Sequence, residues 1–130
     1  MEKKPNFIVI MTDDQGYGDL SCMGNTDFVT PNIDSLAKSG VRFTDWYAGS
    51  PVCSPSRACL MTGRYPGNAG VRAILAGHRK ASGLTPKVPT LASALKKEGY
   101  QTNLVGKWHL GLAEECRPNR NGYDYFHGFM

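Results

Sequence analysis

The stretch Cys53-Ser54-Pro55-Ser56-Arg57-Ala58-Cys59-Leu60-Met61-Thr62-Gly63-Arg64 carries more information than any other part of this chain. Pro55 suits the first turn of a helix and Gly63 suits its end, so a helix is predicted between them. Cys53 would stand just before the helix N-terminus, where unpaired N–H groups favour an anion. Arg57 lies about one turn further on, so we expect its guanidinium to fold back beside Cys53. The alternative for such a pair alone is a structural cysteine beside a surface arginine.

Apolar segments with the length of strands occur on both sides of this predicted helix. The nearly continuous apolar run over residues 6–12 predicts a strand that is buried on both faces of a parallel sheet. Residues 41–47 and 100–105 predict two further strands. Since strands and helices alternate, we expect an α/β fold in which helices flank a mostly parallel sheet.

Two more amphipathic helices are expected between these strands. The first would begin after Thr30 and end at Gly40, and the second would begin after Thr90 and end at Gly99. Their apolar stripes are expected to face the core and consist of Ile33, Leu36 and Ala37 in the first, and Leu91, Ala94 and Leu95 in the second.

Composition limits the possible partners. A length of 130 residues with 41% hydrophobic residues is enough for one globular domain, and a net charge of +4 suits an anionic ligand. No run of basic residues indicates nucleic acid, and the apolar run near the N-terminus is too short for a signal peptide or a membrane span. As written, the chain is expected to be cytoplasmic, or periplasmic or secreted if its N-terminus was trimmed, with neither nucleic acid nor membrane as a partner.

Polar residues follow the first and the last predicted strands. Asp13 and Asp14 come after the first strand, and two adjacent carboxylates would be neutralised well by a divalent cation, although a solvated turn is the alternative. Lys107 and His109 follow the last strand and are two residues apart, so extended backbone would place them on one face. There they could grip an anion and assist proton transfer, with a surface lysine and a packed histidine as the alternative.

Three segments carry a family resemblance. The C-x-P-S-R core that begins at Cys53, with T-G-R after it, is similar to the signature of the formylglycine-dependent, arylsulfatase-like sulfatases. The strings P-N-F-I-V-I-M-T-D-D-Q-G-Y-G-D-L and G-K-W-H-L-G also resemble sulfatase motifs. The resemblance covers nearly the whole chain and implies that residues 1–130 are the N-terminal part of a single catalytic domain of the alkaline phosphatase superfamily.

The resemblance also implies a mechanism. In sulfatases a formylglycine-generating enzyme oxidises the signature cysteine to an aldehyde, and the hydrated aldehyde attacks the sulfur of the ester. The lysine of the G-K-W-H-L-G motif contacts the sulfate, and its histidine bonds the formylglycine hydroxyl and accepts a proton. The metal is calcium or sometimes magnesium. Carried over to this chain, the catalytic residues are Cys53, Arg57, Lys107 and His109, of which Lys107 and His109 also bind substrate, and the metal ligands are Asp13, Asp14 and the oxidised Cys53.

The expected activity is hydrolysis of a sulfate ester, either a sulfated sugar or an aryl sulfate. One alternative is a phosphonate monoester or phosphodiester hydrolase of the same superfamily. Another is a non-catalytic module that binds anions. Because the family's other metal and catalytic residues come from later segments, residues 1–130 alone are expected to be incomplete and inactive.

Other polar residues are expected to have structural roles. His78 lies in an irregular stretch, residues 67–89, where it could contact substrate or simply be solvated, and His127 is expected to pack or to lie on the surface. Thr62 and Arg64 are expected to stiffen the signature helix through hydrogen bonds. Residues after Gly111 are expected to be loop-like. The remaining cysteines show no C-x-x-C or zinc-ribbon spacing, with Cys59 expected to be a small buried residue and Cys22 and Cys116 assigned no role.

Overall fold

The structure, a computed structural model, describes residues 4–75, 77 and 83–130, and the chain divides into two compact units, Met1–Trp46 and Tyr47–Met130. The described residues contain helices α1 (Pro31–Ser39), α2 (Cys53–Thr62), α3 (Pro66–Ala69) and α4 (Leu91–Lys97), strands β1 (Asn103–Lys107) and β2 (Tyr125–Phe129), and 3-10 helices at Ser21–Met23, Glu114–Cys116 and Pro118–Arg120.

A carboxylate organises the first unit around the start of α1. Asp34 accepts hydrogen bonds from the hydroxyls of Ser21, at 2.6 Å, and Thr30, at 2.8 Å, and from the backbone N–H of Cys22, at 3.0 Å. These bonds, that from Ser21 first, hold the pKa of Asp34 below its ordinary value. The predicted bounds of α1 are confirmed, because Thr30 precedes the helix and Gly40 follows it.

Neither strand predicted in the first unit forms. Residues 6–12 and 41–47 are exposed and have no strand pairing, with Ile8 at 87% and Ile10 at 78% exposure. A strand is stabilised by hydrogen bonds to a neighbouring strand, and no such neighbour exists among the described residues of this unit. The predicted buried stripe of α1 is also wrong, since Leu36 is 65% exposed.

The second unit contains a parallel pair of strands. In β1 and β2, Val105 lies opposite His127 and Gly106 lies opposite Gly128. The last two come so close that a Cβ added to Gly128 would lie 1.9 Å from the carbonyl oxygen of Gly106. The prediction that residues 112–130 are loop-like is wrong, since β2 lies within them. This strand has a weak sequence signal because it is only five residues long and contains a glycine, and it forms by pairing with β1.

Asp124 joins the starts of both strands. Its carboxylate accepts bonds from the Lys96 ammonium, at 2.5 Å, and from the Thr102 N–H, at 2.9 Å. These bonds, the one from Lys96 first, lower the pKa of Asp124 to about 2. The Thr102 carbonyl accepts bonds from the N–H groups of Asp124 and Tyr125, at 2.8 and 3.2 Å. The strand predicted over residues 100–105 therefore begins three residues later than expected.

The core of the second unit surrounds Trp108, which follows β1 and is 1% exposed. Its indole Nε1–H donates to the Cys116 carbonyl at 2.8 Å, and its ring meets the ring of Tyr123 edge-on, with centroids 6.1 Å apart. The Tyr123 hydroxyl contacts the sulfur of Met61 on α2 at 3.0 Å, and burial raises its pKa. The core therefore packs α2 against the segment that follows β1.

Helix α4 has the predicted ends but presents a different face. Thr90 and Ser93 form a capping box at its start, and Gly99 adopts a left-handed φ of 82° just after its end. Ala92 is the buried residue, whereas Leu91 and Ala94 are exposed, so the predicted inward stripe is wrong. The backbone at Gly122 packs closely against α4 at Ser93, where a Cβ on Gly122 would lie 2.4 Å from the Ser93 nitrogen. This contact covers the side of the helix next to Ala92 instead of the predicted stripe.

Candidate active site

The signature stretch forms α2. Val52 is extended before the helix, and Gly63 after it has a left-handed φ of 64°, as its predicted role at the helix end requires. Cys53 is the first residue of the helix rather than the residue before it, and Pro55 lies in the first turn as predicted. Thr62 forms a hydrogen bond within the helix, as predicted, by donating to the Ala58 carbonyl at 2.7 Å. Arg64, the other residue given that role, is exposed.

Arg57 connects α2 to the end of β1. Its side chain is 6% exposed, and its Nη1 donates to the backbone carbonyl of Lys107 at 2.8 Å. A charge-assisted hydrogen bond of this kind is stronger than a neutral one and fixes the planar guanidinium in place. The cation in the first turns of α2 is therefore held against the strand that ends at Lys107.

The backbone changes direction between Lys107 and His109. Lys107 is the last residue of β1, and the N–H of Trp108 still donates to the Phe129 carbonyl at 2.9 Å. His109, in contrast, adopts a left-handed φ of 53°. The prediction that Lys107 and His109 share one face assumed extended backbone from one residue to the other. The backbone is not extended at His109, so that assumption does not hold.

A second hydrogen-bonded path joins α2 to His109. The buried hydroxyl of Ser54 accepts a bond from the Leu75 N–H at 3.1 Å. The Leu75 carbonyl in turn accepts a bond from Nε2 of His109 at 3.2 Å. The other ring nitrogen, Nδ1, is buried and has no hydrogen-bond partner among the residues that the structure describes. The sequence contained no signal for the role of Leu75, and Ser54 occupies the unspecified position of C-x-P-S-R.

The first turns of α2 and the segment after β1 are thus tied together. One tie runs from Arg57 to Lys107, and the other runs from Ser54 through Leu75 to His109. All four residues predicted to be catalytic belong to the second unit, and they lie on these two connected segments. An arginine on α2, and a lysine and a histidine on the segment tied to it, suit an anionic substrate.

Asp13 and Asp14 lie in an exposed loop of the first unit. Asp14 has a left-handed φ of 53°, which is uncommon for a residue other than glycine. Further along the loop, Asp19 accepts a hydrogen bond from the Gly16 N–H at 2.6 Å, and the Tyr17 hydroxyl donates to a backbone carbonyl at 3.1 Å. The carboxylates therefore belong to a loop with its own hydrogen-bonded structure.

The described residues contain no group of three or more His, Cys, Asp or Glu side chains that could hold a metal ion. Carboxylate oxygens are ligands that Ca²⁺ and Mg²⁺ prefer, so Asp13 and Asp14 fit either cation chemically. Two carboxylates nevertheless supply only part of the six to eight oxygens that Ca²⁺ binds. Further ligands are needed to complete such a site.

The remaining candidates do not join the site. His127 is exposed on β2, and His78 lies outside the described residues. Cys59 was expected to be buried but is only partly buried, and this burial raises the pKa of its thiol. A Cβ on Gly49 would lie 2.6 Å from its sulfur, so the pair packs tightly. All four cysteines are free. In the part of the chain that the structure describes, no helix has both the length and the apolar composition needed to cross a membrane.

A sequence model of the sulfatase family matches residues 5–130. The chain belongs to the sulfatase family. Steryl-sulfatase of Rattus norvegicus is 46% identical to this chain over 95% of the chain and 23% of that sulfatase. Arylsulfatase A of Homo sapiens is 42% identical over 97% of the chain and 25% of that protein. This sulfatase chain therefore spans about a quarter of the length of the curated relatives it matches.

Solved sulfatase structures share the fold. The crystal structure of Ps i-CgsB superimposes with a TM-score of 0.92 at 43% identity, and covers 98% of this chain and 28% of its own. PsFucS1 sulfatase from Pseudoalteromonas sp. gives a TM-score of 0.86 at 43% identity, over 98% of this chain and 26% of its own. Ps i-CgsB has also been crystallised in complex with k-i-k-neocarrahexaose. The predicted α/β fold of the alkaline-phosphatase-like type is confirmed.

Proposed function

We propose that this chain is part of a longer sulfatase domain that hydrolyses sulfate esters, with Cys53 as the precursor of the nucleophile. The observation that carries the proposal is the position of the complete C-x-P-S-R core, which forms the first turns of a helix hydrogen-bonded to the segment of Lys107 and His109. Family membership supports sulfate ester hydrolysis in general. A sulfated glycan is the preferred substrate class because a related structure contains a carbohydrate ligand.

Several groups of the second unit would bind the anion together. The first N–H groups of a helix have no partner within the helix, so the start of α2 attracts negative charge at position 53. Arg57 adds a permanent positive charge one turn away. Lys107 would bind the sulfate oxygens, and His109 would transfer a proton. Positive charge from these residues would stabilise a sulfate ester as it becomes more negative during cleavage.

Two groups would complete this chemistry. Formylglycine at position 53 would supply a hydroxyl nucleophile after hydration, and a divalent cation bound by Asp13 and Asp14 would stabilise negative charge. Oxidation of Cys53 requires a formylglycine-generating enzyme as a partner. The cation would be Ca²⁺ or Mg²⁺, since both ligands are carboxylates.

Peptide mass spectrometry tests the nucleophile directly. The protein would be produced together with a formylglycine-generating enzyme and digested with trypsin, which releases residues 43–57 with Cys53 as the only cysteine. We expect this peptide to be about 18 Da lighter than the thiol form, because an aldehyde replaces the CH₂SH group, whereas ordinary cysteine oxidation adds oxygen and mass. The next peptide, residues 58–64, contains Cys59 and is the internal control, which should keep its thiol.

An activity panel tests the reaction. The full-length protein in the oxidised form should hydrolyse a sulfated sugar or an aryl sulfate, and Cys53→Ala should abolish the reaction because no aldehyde can form. The same panel includes a phosphodiester and a phosphonate monoester. Preferential cleavage of either phosphorus compound would contradict the sulfatase assignment, and an unmodified Cys53 in a host with the oxidising enzyme would contradict the proposed nucleophile.

A further inference from the structure

We propose that Ser54 and the backbone of Leu75 fix the tautomer of His109, so that Nδ1 is the nitrogen that accepts a proton in the reaction. The part of this inference that concerns catalysis rests on the proposed function. The part that concerns the tautomer rests on the hydrogen bonds alone.

The tautomer follows from the partner of Nε2. A backbone carbonyl has no hydrogen to donate, so the 3.2 Å contact between Nε2 of His109 and the Leu75 carbonyl requires a hydrogen on Nε2. A neutral imidazole carries only one N–H, and the lone pair must then lie on Nδ1. The Leu75 carbonyl therefore selects the nitrogen that can act as a base.

Nδ1 is left as an acceptor for which the described residues provide no donor. It is buried and has no hydrogen-bond partner among the described residues. Burying an acceptor without a partner is unfavourable, and such atoms in native proteins tend to have a functional explanation. A hydroxyl that donates to Nδ1 in the substrate complex would satisfy it.

The position of the ring is set by rigid neighbours. Trp108 and Leu110 on either side of His109 are 1% and 0% exposed, and the Leu110 carbonyl accepts a hydrogen bond from the Leu84 N–H at 2.9 Å. The left-handed φ of His109, 53°, lies between these two anchors. The backbone of His109 is therefore held in an uncommon conformation by packing on both sides.

Ser54 links this arrangement to the signature. Its side chain is 0% exposed, and it accepts the Leu75 N–H at 3.1 Å while the carbonyl of the same leucine meets His109. The residue next to Cys53 therefore holds the acceptor that orients the histidine. Ser54 is a positioning residue that acts on the reaction through His109.

The proton transfer is balanced. When Nδ1 takes a proton from a hydroxyl group, the O–H bond breaks, its electron pair stays on oxygen, and an N–H bond forms. The ring becomes an imidazolium in which both nitrogens carry hydrogen.

Long-range ¹H–¹⁵N NMR of the imidazole rings tests the tautomer in the 130-residue chain. Spectra are recorded about two pH units above the ordinary histidine pKa of about 6.5. A His109→Gln variant assigns the resonances, and the exposed His127 provides an internal reference. We expect His109 to carry hydrogen on Nε2 and His127 to show a mixture of tautomers. Hydrogen on Nδ1 of His109, or the same mixture as for His127, would overturn the proposal.

Three variants test the role of Ser54. Ser54→Ala and Ser54→Val lack the hydroxyl and should shift His109 toward a mixture, whereas Ser54→Thr keeps the hydroxyl and should preserve the Nε2–H form. Val and Thr have similar shapes, so they provide the comparison if the alanine variant does not fold. An unchanged tautomer in the variants that lack the hydroxyl would remove Ser54 from the proposal.

Kinetics of the full-length, formylglycine-containing protein separate this inference from the proposed function. Ser54→Ala should lower kcat about three- to tenfold with little change in KM, and Ser54→Thr should restore it. A wild-type protein that hydrolyses sulfate esters but holds the Nδ1–H form would refute the inference and leave the function intact. A protein with the expected tautomer and no sulfatase activity would refute the function and the catalytic part of the inference.

Discussion

Replacing Arg57 by methionine tests whether the signature helix is held to the end of β1 by this side chain. Methionine keeps the length and apolar character of the stem but removes the guanidinium that donates to the Lys107 carbonyl at 2.8 Å. A hydrogen bond from a charged donor contributes about 1.5–3 kcal/mol. The Arg57 side chain is only 6% exposed, so burying its charge costs desolvation free energy in the wild-type protein. Removing the charge abolishes that cost and offsets part of the lost hydrogen-bond energy. We expect the second unit to lose about 1–2 kcal/mol of unfolding free energy.

The two tryptophans allow the second unit to be followed by itself. Trp108 is 1% exposed in the second unit, whereas Trp46 is 74% exposed in the first. In a Trp46→Phe background, urea unfolding measured by fluorescence therefore reports the surroundings of Trp108. With a denaturant slope of about 1 kcal/mol per molar urea, the midpoint should fall by about 1–2 M in Arg57→Met.

Arg64→Met is the matched control, because it removes the same charge from an exposed position shortly after the helix. Its midpoint should change by less than about 0.5 M, as expected for a surface substitution of up to about 0.5 kcal/mol. Equal midpoints for Arg57→Met and Arg64→Met would refute the argument that the Arg57 hydrogen bond stabilises the unit.

Three further predictions follow from individual contacts. The pKa of Asp124, about 2, is below its ordinary 3.8, so the contribution of this carboxylate to folding stability is complete above about pH 4 and is lost as the pH falls toward 2. Urea midpoints measured from pH 2 to 5 should show this loss, and Asp124→Asn should lack it. The 130-residue chain should bind Ca²⁺ with a Kd above about 1 mM, because Asp13 and Asp14 provide few ligands; micromolar affinity by calorimetry would contradict this. Gly128→Ala should cost more than about 2 kcal/mol, because the new Cβ would lie 1.9 Å from a carbonyl oxygen, whereas Gly67→Ala, with a nearest contact of 3.7 Å, should cost less than half as much in the same urea assay.

Helix ends were predictable because they depend on nearby residues. Proline and glycine restrict or free the backbone at their own positions, which is why Gly40 and Gly63 mark the ends of α1 and α2 correctly. Strands were harder to predict. Residues 6–12 and 41–47 have the apolar composition of strands and no strand partner in the described part of the chain, while the short β2 forms because β1 lies beside it.

Short motifs identified the candidate site residues, but no motif identified the residues that hold them in position. Cys53, Arg57 and His109 occur within local strings that can be recognised in any sequence. Leu75 has no such string, and it contributes only backbone groups, which every residue possesses. A role of that kind depends on where the chain passes, and side-chain chemistry carries no information about it.

The amino-acid sequence alone determined the helix that begins at Cys53 and the family to which the chain belongs, and it predicted Cys53 as the precursor of the nucleophile. Only the tertiary structure decided which segments meet around that helix. The hydrogen bond from Arg57 to Lys107 joins residues 50 positions apart, and those of Leu75 with Ser54 and His109 span 21 and 34 positions. Local propensity acts over about one helical turn, whereas contacts at such separations form only when the core around Trp108 has packed α2 against the segment after β1.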